Sequence, residues 1–396
     1  MSERVTTRPQ KAETRPTKGL APDRSAVRGL GLRIRQWRNA LLGSPEFRSR
    51  IQRFPATKWL ANKKANALFR LTAGFVHSQV LAACVKLRVF DHLRDRSLKT
   101  AELAERCDLP EARMRLLLEQ AARLGLVRQA ETDGWILDDA GVVVATDPGI
   151  AAMIAHHDML YQDLADPATL LRAPETDTQL KRFWAYARNE KPGAIDPDRA
   201  ASYSGLMQAS QSMLADCILA AHDFGHYKSI MDVGGGDGTF LATAAAAHPH
   251  LALHLFELPP VAELARRNLS AKPLGARSEL HSGDFAADPI PATADCVCLI
   301  RILCDHDDAR ALAILNNLHR SLAPGTRVMI AEAMAGPSEG AQLAAVYFSL
   351  YFLAMGSGRC RTDTAIKGLL VQAGFGRPHT VATPNPLLAT LVFAER

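Results

Sequence analysis

The sequence predicts an α/β protein whose C-terminal half forms a doubly wound, mainly parallel sheet, preceded by a smaller and mainly helical domain. Three observations support this fold class. An apolar run at residues 230–233 ends in a cluster of glycines, and further apolar runs follow it at intervals filled by helical patterns. Residues 70–150 show two helical patterns and then a hairpin. Strands that alternate with helices are typical of parallel sheets covered on both faces.

The glycine cluster predicts a cofactor site at the end of the first strand of this sheet. The strand contains Asp232 and stops at a turn that includes Gly234 and Gly236. Glycine lets a backbone approach a ligand where a Cβ would collide, and the next helix points its N-terminus at that ligand. A dinucleotide site would need a glycine where this chain has Thr239, so the spacing disfavours NAD and FAD.

Acidic residues follow the next two predicted strands at the same edge of the sheet. The second strand, residues 251–256, ends at Glu257 and Leu258, and the carboxylate suits a ribose diol. The third strand is followed by Asp284 and Phe285, which offer a carboxylate for an adenine amine and a ring for the adenine face. In this order and at these intervals, the acids and the glycine turn favour a nucleotide-type cofactor.

A fourth predicted strand, residues 295–303, carries Arg301 at its carboxyl end. Ligands of open parallel sheets bind outside these ends, so the guanidinium could meet a cofactor carboxylate. A salt bridge with Asp305 or Asp237 is the alternative.

The apolar helix predicted at residues 344–355 has three interpretations, which are an acceptor pocket, plain core or a dimer interface. Its proposed stripe comprises Val346, Phe348, Phe352 and Met355.

The pattern of residues 70–150 predicts a winged helix. One helix covers residues 71–87, a second is expected to be capped by Thr100, and a third follows Pro110 and stops at Gly125. Residues 126–137 then form a hairpin that turns at residues 133–134. A winged helix raises DNA binding as a rival function, but residues 100–125 carry four Arg against five acids. A helix that enters a DNA groove usually brings cations to the phosphates, so no nucleic-acid partner is predicted.

Size and composition predict a two-domain enzyme of the cytoplasm. The chain has 396 residues, of which 47% are hydrophobic and 22% charged. Its seven cysteines lack paired C-x-x-C spacing, so the sequence predicts no disulfide framework and no metal site. The N-terminus lacks an apolar core of signal-peptide length, and residues 344–355 are too short to span a membrane. Four histidines near the predicted sheet are assigned structural roles: His248, His250, His254 and His281.

Positive charge is concentrated at the N-terminus. Residues 1–60 hold fourteen Lys or Arg against four Asp or Glu, so the rest of the chain carries −4 of the formal net charge of +6. Apolar residues recur at helical spacing between Leu30 and Leu41, which predicts an amphipathic basic helix. Such a helix could lie on an anionic membrane surface. In the alternative interpretation it packs on its own dimer and residues 1–27 are disordered.

From about residue 70 onward the chain resembles the class I S-adenosylmethionine-dependent O-methyltransferases that carry an N-terminal winged-helix dimerisation domain. The family pattern Asp-Val-Gly-Gly-Gly-x-Gly stands at residues 232–238, and its Phe-Asp-Leu-Pro looks like residues 256–259. Residues 203–210 are similar to the family helix that lines both pockets, which places Met207 and Ser210 near the methionine part of the cofactor. The resemblance implies a Rossmann-like methyltransferase domain, S-adenosylmethionine as cofactor, and a homodimer.

The general base is the point at which this sequence departs from the phenolic members of the family. Those members use a His in Leu-His-Asp-Trp, which two glutamates orient. Here Cys304 stands at the His position, one glutamate is retained as Glu332, and the other position holds Cys360. A thiol would need a depressed pKa to accept a proton, so the role of base is not transferred to Cys304.

Three residues remain as candidates for accepting the proton of an alcohol. His306 has three aspartates near it, at residues 305, 307 and 308, that are available to raise its basicity. Asp305 could accept directly, and His157 lies in a segment that resembles the substrate pocket. Simpler interpretations stay open. His306 could be a surface or capping residue, and His156 and His157 could be helix residues with satisfied hydrogen bonds.

Within the family, four segments are similar to the purple-bacterial carotenoid branch: residues 156–161, 183–187, 305–308 and 354–359. This resemblance implies O-methylation of a lipophilic alcohol, the 1-hydroxyl of an acyclic carotenoid. Contact of the basic arm with the inner membrane surface would suit such a bilayer-dissolved substrate. A tetrapyrrole, a polyketide or a phenolic substrate is the alternative acceptor. Two alternatives of another class are a winged-helix DNA-binding regulator and an inactive S-adenosylmethionine-binding protein.

These inferences divide the chain into four parts. A basic arm covers residues 1–60, and a winged-helix dimerisation domain covers residues 61–155. A helical connector that lines the substrate pocket covers residues 156–225, and the S-adenosylmethionine-binding catalytic domain covers residues 226–396.

Overall fold

A computed structural model of the chain describes residues 24–53, 55–131, 133–173, 175, 177–187, 210–270 and 274–396. Met207 lies outside these residues, as does most of the segment for which disorder was one interpretation. The helix α1 already includes residues 24–27 of that segment. Contacts within the chain divide it into two compact units, Met1–Ser78 and Gln79–Arg396, which are described separately below.

Helices make up the described part of the first unit. They are α1 (Arg24–Gly43), α2 (Pro45–Arg53) and the first part of α3 (Pro55–Lys86), which continues into the second unit. The predicted amphipathic helix is therefore confirmed as α1, and its Ile34 and Trp37 are more than half exposed. The helix α3 begins sixteen residues before the predicted position 71.

The helix α3 is also more apolar on its surface than the sequence analysis recognised. Trp59, Phe69, Leu71 and Phe75 are each more than two thirds exposed. Within the described residues, the stretch Thr57–Lys86 is long and apolar enough to cross a membrane, by length and composition alone. The sequence analysis had considered only residues 344–355 for that role.

The second unit begins with the predicted winged helix. Its elements are α4 (Val89–Leu93), α5 (Thr100–Arg106), α6 (Glu111–Arg123), β1 (Val127–Gln129), β2 (Trp135–Leu137) and α7 (Asp139–Thr146). The strands β1 and β2 pair antiparallel, which confirms the hairpin. Gly125 ends α6 with a φ of +69°. The predicted cap at Thr100 was wrong, because Thr100 is the first residue of α5 and its buried hydroxyl accepts a hydrogen bond from the Trp135 indole.

Helices connect this module to the large sheet. They are α8 (Pro148–Asp163), α9 (Pro167–Arg172), α10 (Gln179–Ala187) and α11, whose described part covers residues 210–221. Asp147 and Asp166 cap α8 and α9 through their carboxylates, each followed by a proline at the first helical position. These caps explain where each of the two helices begins.

A seven-stranded sheet forms the C-terminal half, in the order β5-β4-β3-β6-β7-β9-β8. All neighbours pair parallel except β9, which runs antiparallel to both β7 and β8. The strands are β3 (Ser229–Val233), β4 (Ala252–Glu257), β5 (Ser278–Ser282), β6 (Cys296–Ile300), β7 (Arg327–Glu332), β8 (Gly376–Val381) and β9 (Thr390–Glu395). The doubly wound α/β prediction is therefore confirmed, with a fourth strand shorter than the predicted 295–303.

Helices cover both faces of this sheet. They are α12 (Thr239–Ala247), α13 (Pro259–Ser270), α14 (Asp308–Ser321) and α16 (Asp363–Gln372). The remaining helix, α15 (Glu339–Met355), packs instead on α8, α9 and α10. One apolar core contains Ile230 with residues of α11, α12 and α13, and the other contains Met231 with residues of α14 and α16. The strand β3 is buried along its whole length between these cores, so the ligand-binding edge of the sheet is at its carboxyl end.

Candidate functional site

The turn after β3 leaves space for a ligand. Gly234, Gly236 and Gly238 have φ values of +75°, +59° and +77°. A Cβ built on Gly236 would meet no atom within 4 Å, whereas one on Gly235 would collide with the Asp232 carboxylate. The sequence analysis did not single out Gly235. Its role is to let the turn pack against a buried acid.

Asp232 is that buried acid, and it is only 1% exposed. Within the described part of the chain, its Oδ1 has no hydrogen-bond partner. Burial raises the pKa of Asp232 to about 8, with further contributions from the negative charges of Glu257 and Asp237. A buried acceptor of this kind is suited to a cationic or protic group of a ligand.

Glu257 ends β4 beside the same turn. Its carboxylate accepts hydrogen bonds from the backbone N–H of Leu258, at 2.8 Å, and of Gly236, at 3.1 Å. Burial raises the pKa of Glu257 as well. Glu257, the residue predicted to accept hydrogen bonds from a ribose diol, therefore contacts the glycine turn. Its carboxylate already accepts hydrogen bonds of the kind that ribose hydroxyls would donate.

The turn after β5 brings a ring and a carboxylate to this edge. Phe285 lies close to Gly234, because a Cβ added there would lie 3.4 Å from its ring. The Asp284 carboxylate accepts from the N–H of Ala286 at 2.8 Å and lies 3.7 Å from the Arg310 guanidinium. Both predicted adenine-side residues are therefore brought to the crevice beyond β3 and β4.

Arg301 follows β6 directly and has a left-handed backbone, with a φ of +54°. Such a conformation is costly for a residue with a side chain and is often found at functional sites. Its guanidinium donates a hydrogen bond to the Ser210 hydroxyl at 3.1 Å. Two residues predicted for the methionine end of the cofactor, from distant parts of the sequence, are therefore in contact.

A short helical turn, Leu303–Asp305, lies next to this arginine. Glu332, at the end of β7, is fully buried and accepts a hydrogen bond from the Cys304 backbone N–H at 2.9 Å. Its Oε1 has no hydrogen-bond partner among the described residues. Burial raises the pKa of Glu332 to about 7. Glu332 therefore holds the backbone of the turn and not a histidine ring.

Arg361 fastens the other side of the turn, although the sequence analysis did not select it. It is 3% exposed and donates hydrogen bonds to the carbonyl oxygens of Leu303, at 2.6 Å, and His306, at 2.8 Å. Its guanidinium also pairs with Asp308 at 2.8 Å. The only sequence signal for these bonds was a basic residue next to Cys360, the position at which the phenolic family members carry their second glutamate.

Two of the three aspartates beside His306 in the sequence have other partners. The Asp307 carboxylate caps α14 by accepting from the Arg310 N–H, and Asp308 pairs with Arg359 and Arg361. The His306 ring lies edge-on to Phe285, with the two centroids 6.0 Å apart. The structure therefore places this histidine beside Phe285, the ring predicted to meet the adenine.

Cys304 and Asp305 face a different environment. Cys304 belongs to an apolar and aromatic cluster with residues of α8, α10 and α15. Burial raises the pKa of its thiol well above the ordinary value, and the charges of Glu332 and Asp305 raise it further. Burial also raises the pKa of Tyr351 in this cluster. The Asp305 Oδ1 lies 3.7 Å from the Cys304 thiol, at the border of the cluster.

Three polar groups meet inside that cluster. The Tyr351 hydroxyl accepts a hydrogen bond from the Trp184 indole at 2.9 Å and lies 2.7 Å from Nε2 of His156. Burial lowers the pKa of His156 to about 4, with a smaller contribution from His157. The His156 ring is therefore neutral at physiological pH. Sequence periodicity alone did not select Tyr351, because it was read as one of many apolar residues of α15.

His157 borders the same cluster. Its Nδ1 lies 2.5 Å from the Met153 carbonyl oxygen, and its ring lies 5.5 Å from that of Tyr347. On α15 the rings of Tyr347, Phe348, Tyr351 and Phe352 form the facing surface. Val346 does not lie on this surface, because it is 71% exposed, so of the three interpretations of the stripe only a dimer interface is compatible with its position.

These residues fit S-adenosylmethionine. The space at Gly236 and the Glu257 carboxylate suit an adenosine ribose, Phe285 suits its base, and the guanidinium of Arg301 suits the carboxylate of a methionine moiety. The neighbouring aromatic cluster suits an apolar second substrate. Together they form the two-pocket arrangement that a group transfer needs.

Comparison with known proteins decides the family. The O-methyltransferase domain family matches residues 172–376, and the O-methyltransferase dimerisation domain matches residues 69–147. The chain belongs to the O-methyltransferase family. Its cofactor is S-adenosylmethionine, and the matched dimerisation domain supports a homodimer.

Two relatives within this O-methyltransferase family are similar over nearly the whole chain. The demethylspheroidene O-methyltransferase of Cereibacter sphaeroides is 38% identical over 373 residues, which cover 94% of this chain and 98% of the relative. The enzyme of the same name from Rhodobacter capsulatus is 39% identical over 346 residues, or 87% and 86% of the two chains. Among solved structures, a methyltransferase of calicheamicin biosynthesis with SAH bound has a TM-score of 0.73 at 26% identity, and covers 84% of this chain and 98% of its own.

Proposed function

We propose that this O-methyltransferase methylates a lipophilic alcohol, the 1-hydroxyl of an acyclic carotenoid. The observation that carries the proposal is the apolar and aromatic cluster at Cys304, which adjoins the cofactor crevice and places few polar groups near an acceptor. A long hydrocarbon chain gains free energy by leaving water for such a surface. The relatives named as demethylspheroidene O-methyltransferases support the same substrate class.

When bound, S-adenosylmethionine would supply a methyl group on a sulfonium. The hydroxyl oxygen would bond to that methyl carbon as the carbon–sulfur bond breaks in line with it, and the thioether of S-adenosylhomocysteine would leave. The protein therefore has to hold the oxygen in line with the methyl group and to exclude water. The cofactor-binding residues that we propose are Asp232, Gly234, Gly236, Glu257, Leu258, Asp284, Phe285, Arg301, Ser210 and Met207. The aromatic rings of α15 would provide the water-poor surface on the acceptor side.

We further propose Asp305 as the group that accepts the hydroxyl proton. Its Oδ1 lies 3.7 Å from the thiol of Cys304, which belongs to the aromatic cluster and follows Arg301 closely in the chain, so the carboxylate lies at the border of that cluster. Glu332 would position it, because it holds the backbone of the same turn through the Cys304 N–H. His157 and His306 are the other candidates for a catalytic role, each from one side of the site.

Methyl transfer tests the function directly. Purified protein would be given tritiated S-adenosylmethionine with detergent-dispersed demethylspheroidene, beside catechol as a phenolic control. We expect label in a carotenoid methyl ether and none in catechol. Label in catechol alone would indicate a phenolic or polyketide-type acceptor. Label in neither, with measured cofactor binding, would favour a non-catalytic role, and salt-dependent DNA binding would then test for a regulator.

Three variants separate the candidates for the base. Asp305→Asn should lower kcat at least tenfold with little change in cofactor affinity, since general acid–base catalysis contributes about 10²–10⁴-fold. His306→Ala and His157→Ala serve as matched comparisons from the two sides of the site. A larger loss of kcat in either histidine variant than in Asp305→Asn would assign the role of base to that histidine. If all three variants turned over as fast as the unmodified protein, no general base would be needed.

The same proposal places the enzyme in the cytoplasm, at the inner membrane surface. A substrate dissolved in a bilayer is reached most readily from that surface, and residues 1–60 carry the excess positive charge that anionic lipids attract. The four-part organisation, with boundaries at residues 60, 155 and 225, is part of this proposal. It assigns membrane contact to the arm and substrate binding to the connector.

A further inference from the structure

Three potential metal ligands lie together at the edge of the large sheet, outside the site described above. His254 is on β4, and Glu279 and His281 are on the edge strand β5. In the parallel register, His254 is the partner of Glu279, and Phe256 is the partner of His281. Residues two apart on a strand share a face, so all three side chains lie on the same face of the sheet.

The ligand atoms of these residues are close enough to share one ion. Nδ1 of His254 lies 3.4 Å from one oxygen of Glu279, and Nε2 of His281 lies 3.8 Å from the other. All three ligand atoms lie within 4.8 Å of one another. A tetrahedral zinc site with bonds of about 2.0–2.2 Å has ligand atoms roughly 3.3–3.6 Å apart. Only a small movement of side chains would therefore be needed.

The surroundings favour a coordinating role for both histidines. Nε2 of His281 is shielded from solvent and has no hydrogen-bond partner among the described residues. The two imidazole rings are stacked at 13°, with centroids 5.9 Å apart. The Thr293 hydroxyl, 3.3 Å from His254 Nδ1, is the hydrogen-bond partner that an ion would replace at this nitrogen.

We propose that His254, Glu279 and His281 bind one divalent transition-metal ion of the zinc type, which ties β4 to β5. Two imidazoles and one carboxylate are a common protein ligand set for such an ion, with a fourth position for water. The sequence analysis assigned both histidines structural roles and predicted no metal site, because their sequence separation hid their proximity. Cross-strand pairing creates the cluster.

A metal at this position would stabilise one border of the cofactor crevice. The strand β4 ends at Glu257, and the N–H of Gly283, just after β5, donates to the Glu257 carbonyl oxygen at 3.0 Å. Asp284 follows immediately. An ion that fixes β4 against β5 would therefore hold both acidic residues in place without contacting the reacting atoms.

Zinc titration of the full-length, untagged protein tests the proposal after dialysis against a chelator. We expect one zinc ion per chain by calorimetry and, with cobalt in its place, the visible absorption bands of a tetrahedral site. Glu279→Gln and His281→Ala should each weaken zinc binding at least tenfold. Glu279 is well exposed and His281 lies on the edge strand, so both variants should fold, as circular dichroism would verify.

His248→Ala is the matched control, because His248 also lies near a carboxylate, that of Asp223, at 3.7 Å but belongs to no three-ligand group among the described residues. It should bind zinc as the unmodified protein does. The proposal is overturned if Glu279→Gln and His281→Ala bind zinc with unchanged affinity, or if the unmodified protein binds none. Both measurements are independent of methyl transfer.

Discussion

Gly236 occupies a backbone position at which a side chain and a ligand would compete for the same space. Its φ of +59° is unfavourable for other residues, and a Cβ there would enter open space beside Glu257. We expect Gly236→Val to weaken S-adenosylmethionine binding at least 100-fold by calorimetry, about 3 kcal/mol. Gly325→Val is the control, because Gly325 also has a positive φ and open space but lies in the turn before β7. Equal losses in both variants would indicate general strain and not a cofactor site.

Glu332 gives a prediction for the pH dependence of stability. Burial raises its pKa to about 7 from an ordinary value of 4.5, so the folded protein holds this proton more tightly than the unfolded chain. The resulting stabilisation is fully present below about pH 4.5 and is lost as the pH rises through about 7. Asp232 acts in the same direction, since its pKa is raised to about 8.

Replacing the carboxyl by an amide should remove the Glu332 share of this effect. Near pH 8, we expect the free energy of unfolding of Glu332→Gln to be about 1–3 kcal/mol higher than that of the unmodified protein. Near pH 5, the two free energies should differ little. Urea denaturation at the two pH values measures both. Glu119→Gln, at an exposed site on α6, should change neither value. A variant that is less stable at both pH values would contradict the raised pKa.

At the scale of elements, the turn Leu303–Asp305 depends on Arg361. Its guanidinium bonds two carbonyl oxygens of the turn region and one aspartate, which a single ammonium cannot reproduce. We expect Arg361→Lys to lower the free energy of unfolding by about 2–3 kcal/mol and to reduce kcat at least tenfold, because Asp305 moves with the turn.

The neighbouring Arg359 provides a matched control for that prediction. It pairs with the same Asp308 but is largely exposed, so Arg359→Lys should cost less than about 0.5 kcal/mol. Thermal or urea denaturation compares the two variants, and methyl transfer gives kcat. If Arg359→Lys lowers the free energy of unfolding and kcat as much as Arg361→Lys does, the ion pair with Asp308 stabilises the turn, and not the hydrogen bonds of Arg361 to the backbone carbonyls.

Elements of this fold differed in how far the sequence could predict them. The glycine turn and the acids at strand ends were predictable, because backbone conformation and parallel pairing act over short distances in sequence. Arg361, Tyr351 and the ligand cluster of His254 were not, because each depends on contacts between residues far apart in the chain. The start of α3 was missed for another reason, since its apolar residues follow no single face that a buried helix would need.

At the scale of the whole molecule, charge and exposed apolar surface are concentrated in the same part of the chain. Residues 1–60 carry a net charge of +10, and Ile34, Trp37 and Trp59 are exposed there. Exposed aromatic residues on basic helices are typical of peripheral membrane contact, but a second copy of the chain could also cover them. The two interpretations differ in what one pair of substitutions should change.

We expect the double variant Ile34→Gln, Trp37→Gln to sediment with phosphatidylglycerol vesicles about fivefold more weakly at low salt, because it loses two apolar anchors but no charge. Val371→Gln removes an apolar residue of similar exposure from α16 and should sediment normally. Both proteins should remain dimers in sedimentation velocity and keep their turnover of detergent-dispersed substrate. Dissociation of the double variant into monomers would instead assign this face of α1 to the dimer, and unchanged vesicle binding with an intact dimer would exclude the face from both roles.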